Sequence, residues 1–210
     1  MERSASKQAV TNSVRRDAAL AAAAKHYPPD GTLPDEAAFT SPQFCTWMAL
    51  GVNQSEEGIL AYAEKILSMG IRPGVLILDD GWQKDYGDWN FTEERFRDPV
   101  GMMKRLKAMG FKVMLWLVPY ISPAAPAYGE LKARGALVKD GRGEVYKARW
   151  WKDESAVLDL TTDYARKWLA AEFKRMQAVF GADGFKLDGG DAMYLPPDYP
   201  LANEQNRLWI

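Results

Sequence analysis

Strand-like and helix-like segments alternate along most of this chain, and this alternation constrains the fold more than any other feature. The predicted strands are short apolar runs over Phe44–Leu50, Gly74–Asp80, Lys112–Val118 and Gly184–Asp188. Predicted helices separate them, among them Gln54–Met69, whose apolar residues have helical spacing, and Asp163–Phe180. Such a repeat is typical of a parallel α/β sheet, whose strands are almost entirely apolar because helices cover both faces.

Flanking residues indicate where further elements begin and end. Asp98 and Pro99 have the residue types of a helix N-cap and first turn, and Lys139–Gly143 has the composition of a hairpin turn. Residues 12–26 are rich in alanine and predict a helix, whereas the prolines within residues 27–43 predict a loop. We therefore expect an N-terminal helix and lead-in loop over residues 1–40 and an α/β domain over residues 41–210.

Two α/β architectures fit this order of elements, a (β/α)₈ TIM barrel and a doubly wound open sheet. The glycine-rich phosphate fingerprint that often follows the first strand of an open sheet is absent. Candidate functional residues instead lie at the ends of several strands, which is typical of a barrel: Trp47, Asp79, Trp116 and Asp188. A barrel has eight strands and takes about 250 residues. We therefore expect about the first four β/α units of a TIM barrel, truncated at the C-terminus.

Composition excludes several classes of function. A net charge of −1 favours neither a nucleic acid nor an anionic membrane as partner. The chain has one cysteine, Cys45, and one histidine, His26, so we expect no internal disulfide, no cysteine-based or histidine-rich metal site and no Ser-His-Asp triad. We also expect no cofactor. Residues 1–10 contain no apolar run and predict no signal peptide, which indicates a cytoplasmic location if this N-terminus is native. The oligomeric state is left open, although a half barrel has two open sheet edges through which copies can associate.

Carboxylates follow two of the predicted strands. Asp188 precedes Gly189–Asp191 at the end of one strand, and Asp79 and Asp80 precede Gly81–Trp82 at the end of another. A carboxylate can bond sugar hydroxyls or attack an anomeric carbon, and an indole can stack on a pyranose ring. Successive strand residues alternate in direction, so either Asp79 or Asp80 should face the site while the other braces a loop. The combination predicts a sugar site.

Asp188 is the candidate nucleophile of this site. Lys186 lies two residues earlier, on the same face of the strand, where its charge would keep Asp188 ionised. The alternative is a structural role, with Asp188 capping the following turn and Lys186 as its ion-pair partner. Trp116 fits the core as well as the site, and at least one ring of Trp150–Trp151 should be exposed. The predicted sugar-binding residues are Trp47, Asp79, Asp80, Trp82, Trp116, Trp151, Lys186 and Asp191.

Several motifs together resemble the catalytic barrel of glycoside hydrolase family 31, over about residues 40–195 and in the order of that family. They are Pro42–Trp47 with Gly51–Asn53, Leu78–Gln83, Gly87–Phe91, Phe111–Trp116, Trp150–Trp151 ahead of Ser155–Thr161, and the segment ending in Asp188. The Asp-Asp-Gly-Trp motif at residues 79–82 also resembles the related families of α-galactosidases.

The resemblance implies a retaining, exo-acting α-glycosidase that needs no metal, with Asp188 as the nucleophile and Asp79 and Trp82 holding the non-reducing sugar. The family's general acid is an aspartate well downstream of strand four, and no position here matches it. A β-sandwich usually precedes the barrel and is also missing. We therefore expect an inactive fragment of an enzyme that cleaves α-galactosides or α-glucosides and α-xylosides. The alternatives are a non-catalytic carbohydrate-binding barrel and a doubly wound, phosphatase-like protein, for which no phosphate-binding loop is found.

Overall fold

The computed structural model describes residues 14–25, 28, 31–33, 35–151, 153–189 and 194. The chain divides into two compact units, Met1–Glu36 and Ala37–Ile210. In the first unit, residues 14–25 form an exposed helix, α1, which agrees with the helix predicted over residues 12–26. His26 and Asp191, about which predictions were made, lie outside the described residues.

The second unit contains the remaining described helices and strands. The strands are β1 (Gln43–Cys45), β2 (Val75–Leu78), β3 (Gln83–Asp85), β4 (Asp88–Phe91), β5 (Lys112–Leu117), β6 (Tyr120–Ile121), β7 (Lys147–Arg149), β8 (Glu154–Val157) and β9 (Gly184–Leu187). The helices are α2 (Ala37–Thr40), α3 (Trp47–Leu50), α4 (Glu56–Ser68), α5 (Pro99–Ala108), α6 (Tyr128–Ala133) and α7 (Asp163–Phe180). None of the described helices has the length and apolar composition needed to cross a membrane.

The central sheet is parallel and has the order β1-β2-β5-β9. Its register pairs Phe44 with Leu76, Leu76 with Val113, and Leu115 with Phe185. Each strand therefore lies beside the next strand of the sheet along the chain, as in a (β/α) barrel, and the carboxyl ends of all four meet at one edge.

Helices α4, α5 and α7 pack against this sheet through apolar faces. In α4 the side chain of Ser55 accepts a hydrogen bond from the Gly58 N–H, and in α5 Asp98 accepts one from the Gly101 N–H. Both bonds satisfy backbone donors that a helix N-terminus leaves free. The faces below these caps enter one apolar cluster that includes Ile59, Leu60, Ala63, Ile66, Met102, Met103, Leu106, Met176 and Phe180.

Strand β1 is shorter than predicted, which corrects the expected strand over Phe44–Leu50. Pairing with β2 ends at Cys45, and residues Trp47–Leu50 form the short helix α3. The carbonyl oxygen of Thr46 accepts hydrogen bonds from the N–H groups of Ala49 and Leu50, and Gly51 then takes a positive φ of 55°. The chain therefore turns away directly above the sheet, and this turn places Trp47 beside the carboxyl ends of the strands.

Two small antiparallel sheets are built on the connections that follow β2 and β5. Strands β3 and β4 form a hairpin, and β6, β8 and β7 form a sheet in that order. The predicted turn over Lys139–Gly143 is confirmed, because Lys139 bridges Val145 and Asp140 accepts hydrogen bonds from the N–H groups of Arg142 and Glu144.

Candidate active site

A cavity of about 450 Å³ lies at the carboxyl ends of the four parallel strands. It is lined by Cys45, Trp47, Met48, Asp79, Asp80, Trp116, Trp150, Trp151, Lys186 and Asp188. The predicted convergence of Trp47, Asp79, Trp116 and Asp188 on one rim is therefore confirmed. Most of the residues that the sequence nominated for sugar binding also border this cavity.

Asp188 follows β9 directly and is held by donors on both oxygens. Its Oδ1 accepts a hydrogen bond from the Gly189 N–H at 2.8 Å, and its Oδ2 accepts one from Trp116 Nε1 at 2.9 Å. Partial burial raises the pKa of Asp188, but these hydrogen bonds and the charge of Lys186 outweigh burial and hold the pKa below its usual value. Since 44% of its side chain remains exposed, Asp188 presents an ionised carboxylate to the cavity.

Lys186 and Asp79 form the closest ion pair of the site. Lys186 Nζ lies 2.8 Å from Asp79 Oδ2 and 3.7 Å from Asp188 Oδ2, so the lysine bonds Asp79 and only approaches Asp188. Burial lowers the pKa of Lys186, but the hydrogen bond to Asp79 and the charge of that carboxylate together outweigh burial. The pKa is therefore raised above its usual value, and Lys186 stays protonated. The lysine therefore places a fixed positive charge between two strand tips.

The structure also shows which aspartate after β2 faces the site. Asp79 bonds Lys186, whereas Asp80 accepts hydrogen bonds from Gln83 Nε2 at 2.8 Å and from the Tyr86 hydroxyl at 3.1 Å. Both partners of Asp80 belong to the β3–β4 hairpin region, so Asp80 braces that hairpin while bordering the cavity. Burial and the nearby carboxylate of Asp80 raise the pKa of the Tyr86 hydroxyl, which keeps it a donor.

Aromatic rings form a continuous wall from the buried end of the cavity to its mouth. The ring of Trp150 stacks on that of Trp116, with centroids 6.2 Å apart and planes 20° apart, and also contacts Trp151 at 6.3 Å. Trp151 in turn contacts Trp47 at 5.9 Å. Trp116 is buried, whereas Trp151 is 64% exposed, so Trp151 has a ring face available to a ligand.

The prediction that Trp82 stacks on a sugar is wrong in this structure. Its side chain is fully buried, its ring contacts Phe91 at 4.7 Å, and its Nε1 donates a hydrogen bond to the Trp116 carbonyl oxygen at 2.9 Å. The ring points into the core because Gly81, with a φ of 100°, reverses the chain between Asp80 and Trp82. Trp82 therefore supports the backbone at Trp116.

Three residues that line the cavity were missing from the predicted site residues: Cys45, Met48 and Trp150. Cys45 ends β1, and its Sγ donates a hydrogen bond to Asp79 Oδ2 at 3.0 Å. Met48 belongs to α3 and is 88% exposed at the cavity mouth. The predicted strand over Phe44–Leu50 placed Cys45 near its start, so no sequence signal placed this residue beside Asp79. Among the residues that the structure describes, no group of His, Cys, Asp and Glu side chains could hold a metal ion.

Comparison with known proteins identifies the family of this barrel. The profile "Glycosyl hydrolases family 31 TIM-barrel domain" matches residues 33–208. The chain belongs to glycoside hydrolase family 31. Its fold is accordingly the family 31 TIM barrel, of which the described residues form the part built from β1, β2, β5 and β9.

Curated family 31 relatives are similar over most of this chain. The myogenesis-regulating glycosidase of Mus musculus is 32% identical over 80% of the chain, and the α-xylosidase XylQ of Lactiplantibacillus pentosus is 30% identical over 70%. The chain spans only 24% and 20% of the lengths of these two relatives. The match therefore covers one region of much longer proteins.

Solved structures show the same fold. A family 31 α-xylosidase from a soil metagenome, complexed with xylose, superimposes with a TM-score of 0.71 at 23% identity and covers 81% of the chain and 25% of that structure's chain. The Flavobacterium johnsoniae family 31 dextranase, complexed with glucose, gives 0.69 at 25% identity and covers 81% and 21%. An α-galactosidase from Thermus thermophilus gives a lower TM-score, 0.60, and covers 70% and 30%.

Proposed function

We propose that the intact protein hydrolyses terminal α-glycosidic bonds with retention of configuration, using Asp188 as the nucleophile. The observation that carries this proposal is the state of Asp188 itself. It is an ionised, partly exposed carboxylate at a strand tip, and donors from Trp116 and Gly189 orient it into the cavity. Membership of family 31 supports a glycosidase, and the geometry supports this assignment of the nucleophile.

The reaction requires a nucleophile and an acid/base. Asp188 would attack the anomeric carbon, the leaving group would depart with a proton, and water would then cleave the glycosyl-enzyme ester. Retaining enzymes place the two carboxyl groups about 5–5.5 Å apart. Asp79 is bonded to Lys186 and Asp80 is bonded to the hairpin, so neither is free to protonate a leaving group. We infer that a further segment of the intact protein supplies the acid, as the family resemblance implies.

The remaining cavity residues are suited to binding the sugar that is released. Asp79 and Lys186 offer an acceptor and charged donors for hydroxyl groups, and the exposed ring of Trp151 offers an apolar face for a pyranose. The relatives and neighbours include α-xylosidases and a 1,3-α-isomaltosidase, with an α-galactosidase as a more distant neighbour. We therefore propose α-glucosides and α-xylosides as substrates, with α-galactosides as the second choice.

Substitution of Asp188 tests the proposal. In the intact protein, Asp188→Asn keeps the shape of the side chain and removes its nucleophilic charge, so turnover of 4-nitrophenyl α-xyloside, α-glucoside and α-galactoside should fall by about 10³-fold or more. Asp183→Asn is a matched control, because Asp183 lies at the opposite end of β9, where its carboxylate accepts a hydrogen bond from the Val113 N–H. Its turnover should persist even where its stability falls.

The stereochemistry of the product gives a second readout. A retaining enzyme releases the α anomer first, which NMR detects before mutarotation. A β anomer as the first product, or equal turnover by Asp188→Asn and wild type, would contradict the proposal. Sugar binding by a wild-type protein that shows no turnover would favour the alternative, a non-catalytic carbohydrate-binding barrel.

A further inference from the structure

Hydrogen bonds from the protein occupy most of the accepting capacity of Asp79. Its Oδ1 accepts a hydrogen bond from the Asp80 N–H at 3.0 Å, and its Oδ2 accepts from Lys186 Nζ at 2.8 Å and from Cys45 Sγ at 3.0 Å. An ionised carboxylate offers about four acceptor positions. Two neighbouring sugar hydroxyls therefore cannot both bond Asp79 while all three of these donors stay in place.

The three donors differ in how easily a sugar hydroxyl can displace them. The Asp80 N–H belongs to the next peptide unit and cannot move away independently. Lys186 carries a full charge, so its bond to Asp79 is charge-assisted on both sides. The thiol of Cys45 is a weak donor at the wall of the cavity. Burial and the bond to Asp79 raise the pKa of this thiol, so it is protonated and donates at neutral pH.

We propose that Cys45 is a specificity-determining residue of the sugar site, whose thiol occupies an acceptor position on Asp79 Oδ2 and yields it to a hydroxyl of the bound sugar. This inference rests on the proposed function, because it concerns the same cavity and a sugar ligand. With a weak donor at the tip of β1, Asp79 can hold two hydroxyls of one sugar. A strong donor there would restrict Asp79 to one.

The proposal predicts an unusual order of affinity among variants. Cys45→Ser keeps nearly the same size but donates more strongly to the carboxylate, so it should weaken sugar binding by about three- to tenfold. Cys45→Ala removes the donor, so its affinity should equal that of wild type or exceed it by a few-fold. A residue that merely supports the structure would give the opposite order, with serine as the conservative replacement and alanine as the damaging one.

The experiment measures binding without turnover. The intact protein and its Cys45→Ser and Cys45→Ala variants are titrated calorimetrically with D-xylose, D-glucose and D-galactose, after thermal unfolding shows that all three are folded. Met48→Ala is a control, because Met48 lines the same cavity and its side chain donates no hydrogen bond. It should leave the serine–alanine order unchanged when combined with either variant.

For at least one of the three sugars, we expect Cys45→Ala to bind at least as tightly as wild type and Cys45→Ser to bind more weakly than both. Serine binding as tightly as wild type, or alanine binding more weakly than serine, would overturn the proposal. Absence of sugar binding in all three proteins would overturn it as well. The proposed function fails separately, when Asp188→Asn and wild type show equal turnover.

Discussion

The ion pair between Lys186 and Asp79 should contribute more to stability than its partly open position suggests. Its N–O distance is 2.8 Å, and the two side chains are 35% and 5% exposed. Lys186→Met keeps the length of the side chain and removes the charge that Asp79 faces. Breaking a buried ion pair by removing one partner costs about 3–5 kcal/mol.

Two features of the site reduce that figure. The Lys186 side chain is 35% exposed, and Asp79 keeps its hydrogen bonds from Cys45 and from the Asp80 N–H. We therefore expect Lys186→Met to lower the free energy of unfolding by about 2 kcal/mol. Asp79→Asn should cost about 1.5 kcal/mol, because the amide still accepts a hydrogen bond but no longer balances the charge of Lys186.

A double-mutant cycle isolates the contribution of the pair. The double variant should lose only about 2 kcal/mol, which leaves a coupling energy of about 1.5 kcal/mol. Urea unfolding followed by tryptophan fluorescence measures all four proteins. Lys84→Met is a matched control, since Lys84 lies 2.7 Å from Glu93 on an exposed surface and should show no measurable loss. If the losses of the single variants add, with coupling below about 0.5 kcal/mol, the reasoning is refuted.

Three further predictions concern Gly189, Trp116 and the isolated chain. Gly189→Ala should lower the free energy of unfolding by about 2–4 kcal/mol, because φ is +63° and the new Cβ would lie 3.1 Å from Tyr120. The control Gly143→Ala, with φ +84° and open space around the new Cβ, should cost about 1–2 kcal/mol in the same urea assay. Equal losses in the two variants would rule out crowding at Gly189. Trp116→Phe removes a hydrogen-bond donor to Asp188 and so raises the pKa of Asp188. In the intact enzyme the acidic limb of the pH profile of kcat/KM should therefore move to higher pH, and an unmoved limb would contradict this role of Trp116. The 210-residue chain alone should show no sustained turnover of an unactivated disaccharide, since general acid catalysis contributes about 10²–10⁴-fold; repeated turnover would place the acid within this chain.

Elements with strong local signals were predictable from the sequence. Helix α7 has the predicted bounds because Thr162 caps its first turn by accepting a hydrogen bond from the Ala165 N–H, and Gly181 ends it with a left-handed conformation. The three later strands of the sheet were likewise found within a residue or two. Their short apolar runs identify them, and in β2 and β5 most of these residues are buried.

The remaining features depend on tertiary contacts that the sequence pattern does not contain. The pairing of β1 with β2 stops at Cys45. The sequence did not indicate this end, because the apolar residues after Cys45 suit a strand and a helix equally. Whether Asp79 or Asp80 faced the cavity depended on where Lys186 and the β3–β4 hairpin lay. Trp82 followed the same motif but turned into the core at Gly81. Cys45 gained its role only through contact with Asp79 from the neighbouring strand.

The most direct test of the account is to trap the covalent intermediate on its nucleophile. A 5-fluoro glycosyl fluoride of the preferred sugar reacts with a retaining glycosidase and leaves a slowly hydrolysed ester on the attacking carboxylate. Digestion of the labelled intact protein and mass spectrometry then locate the ester. We predict the label on Asp188, and its loss in Asp188→Asn. A label on Asp79 or Asp191 would contradict the assignment, as would an active enzyme that hydrolyses the reagent without ever forming an ester.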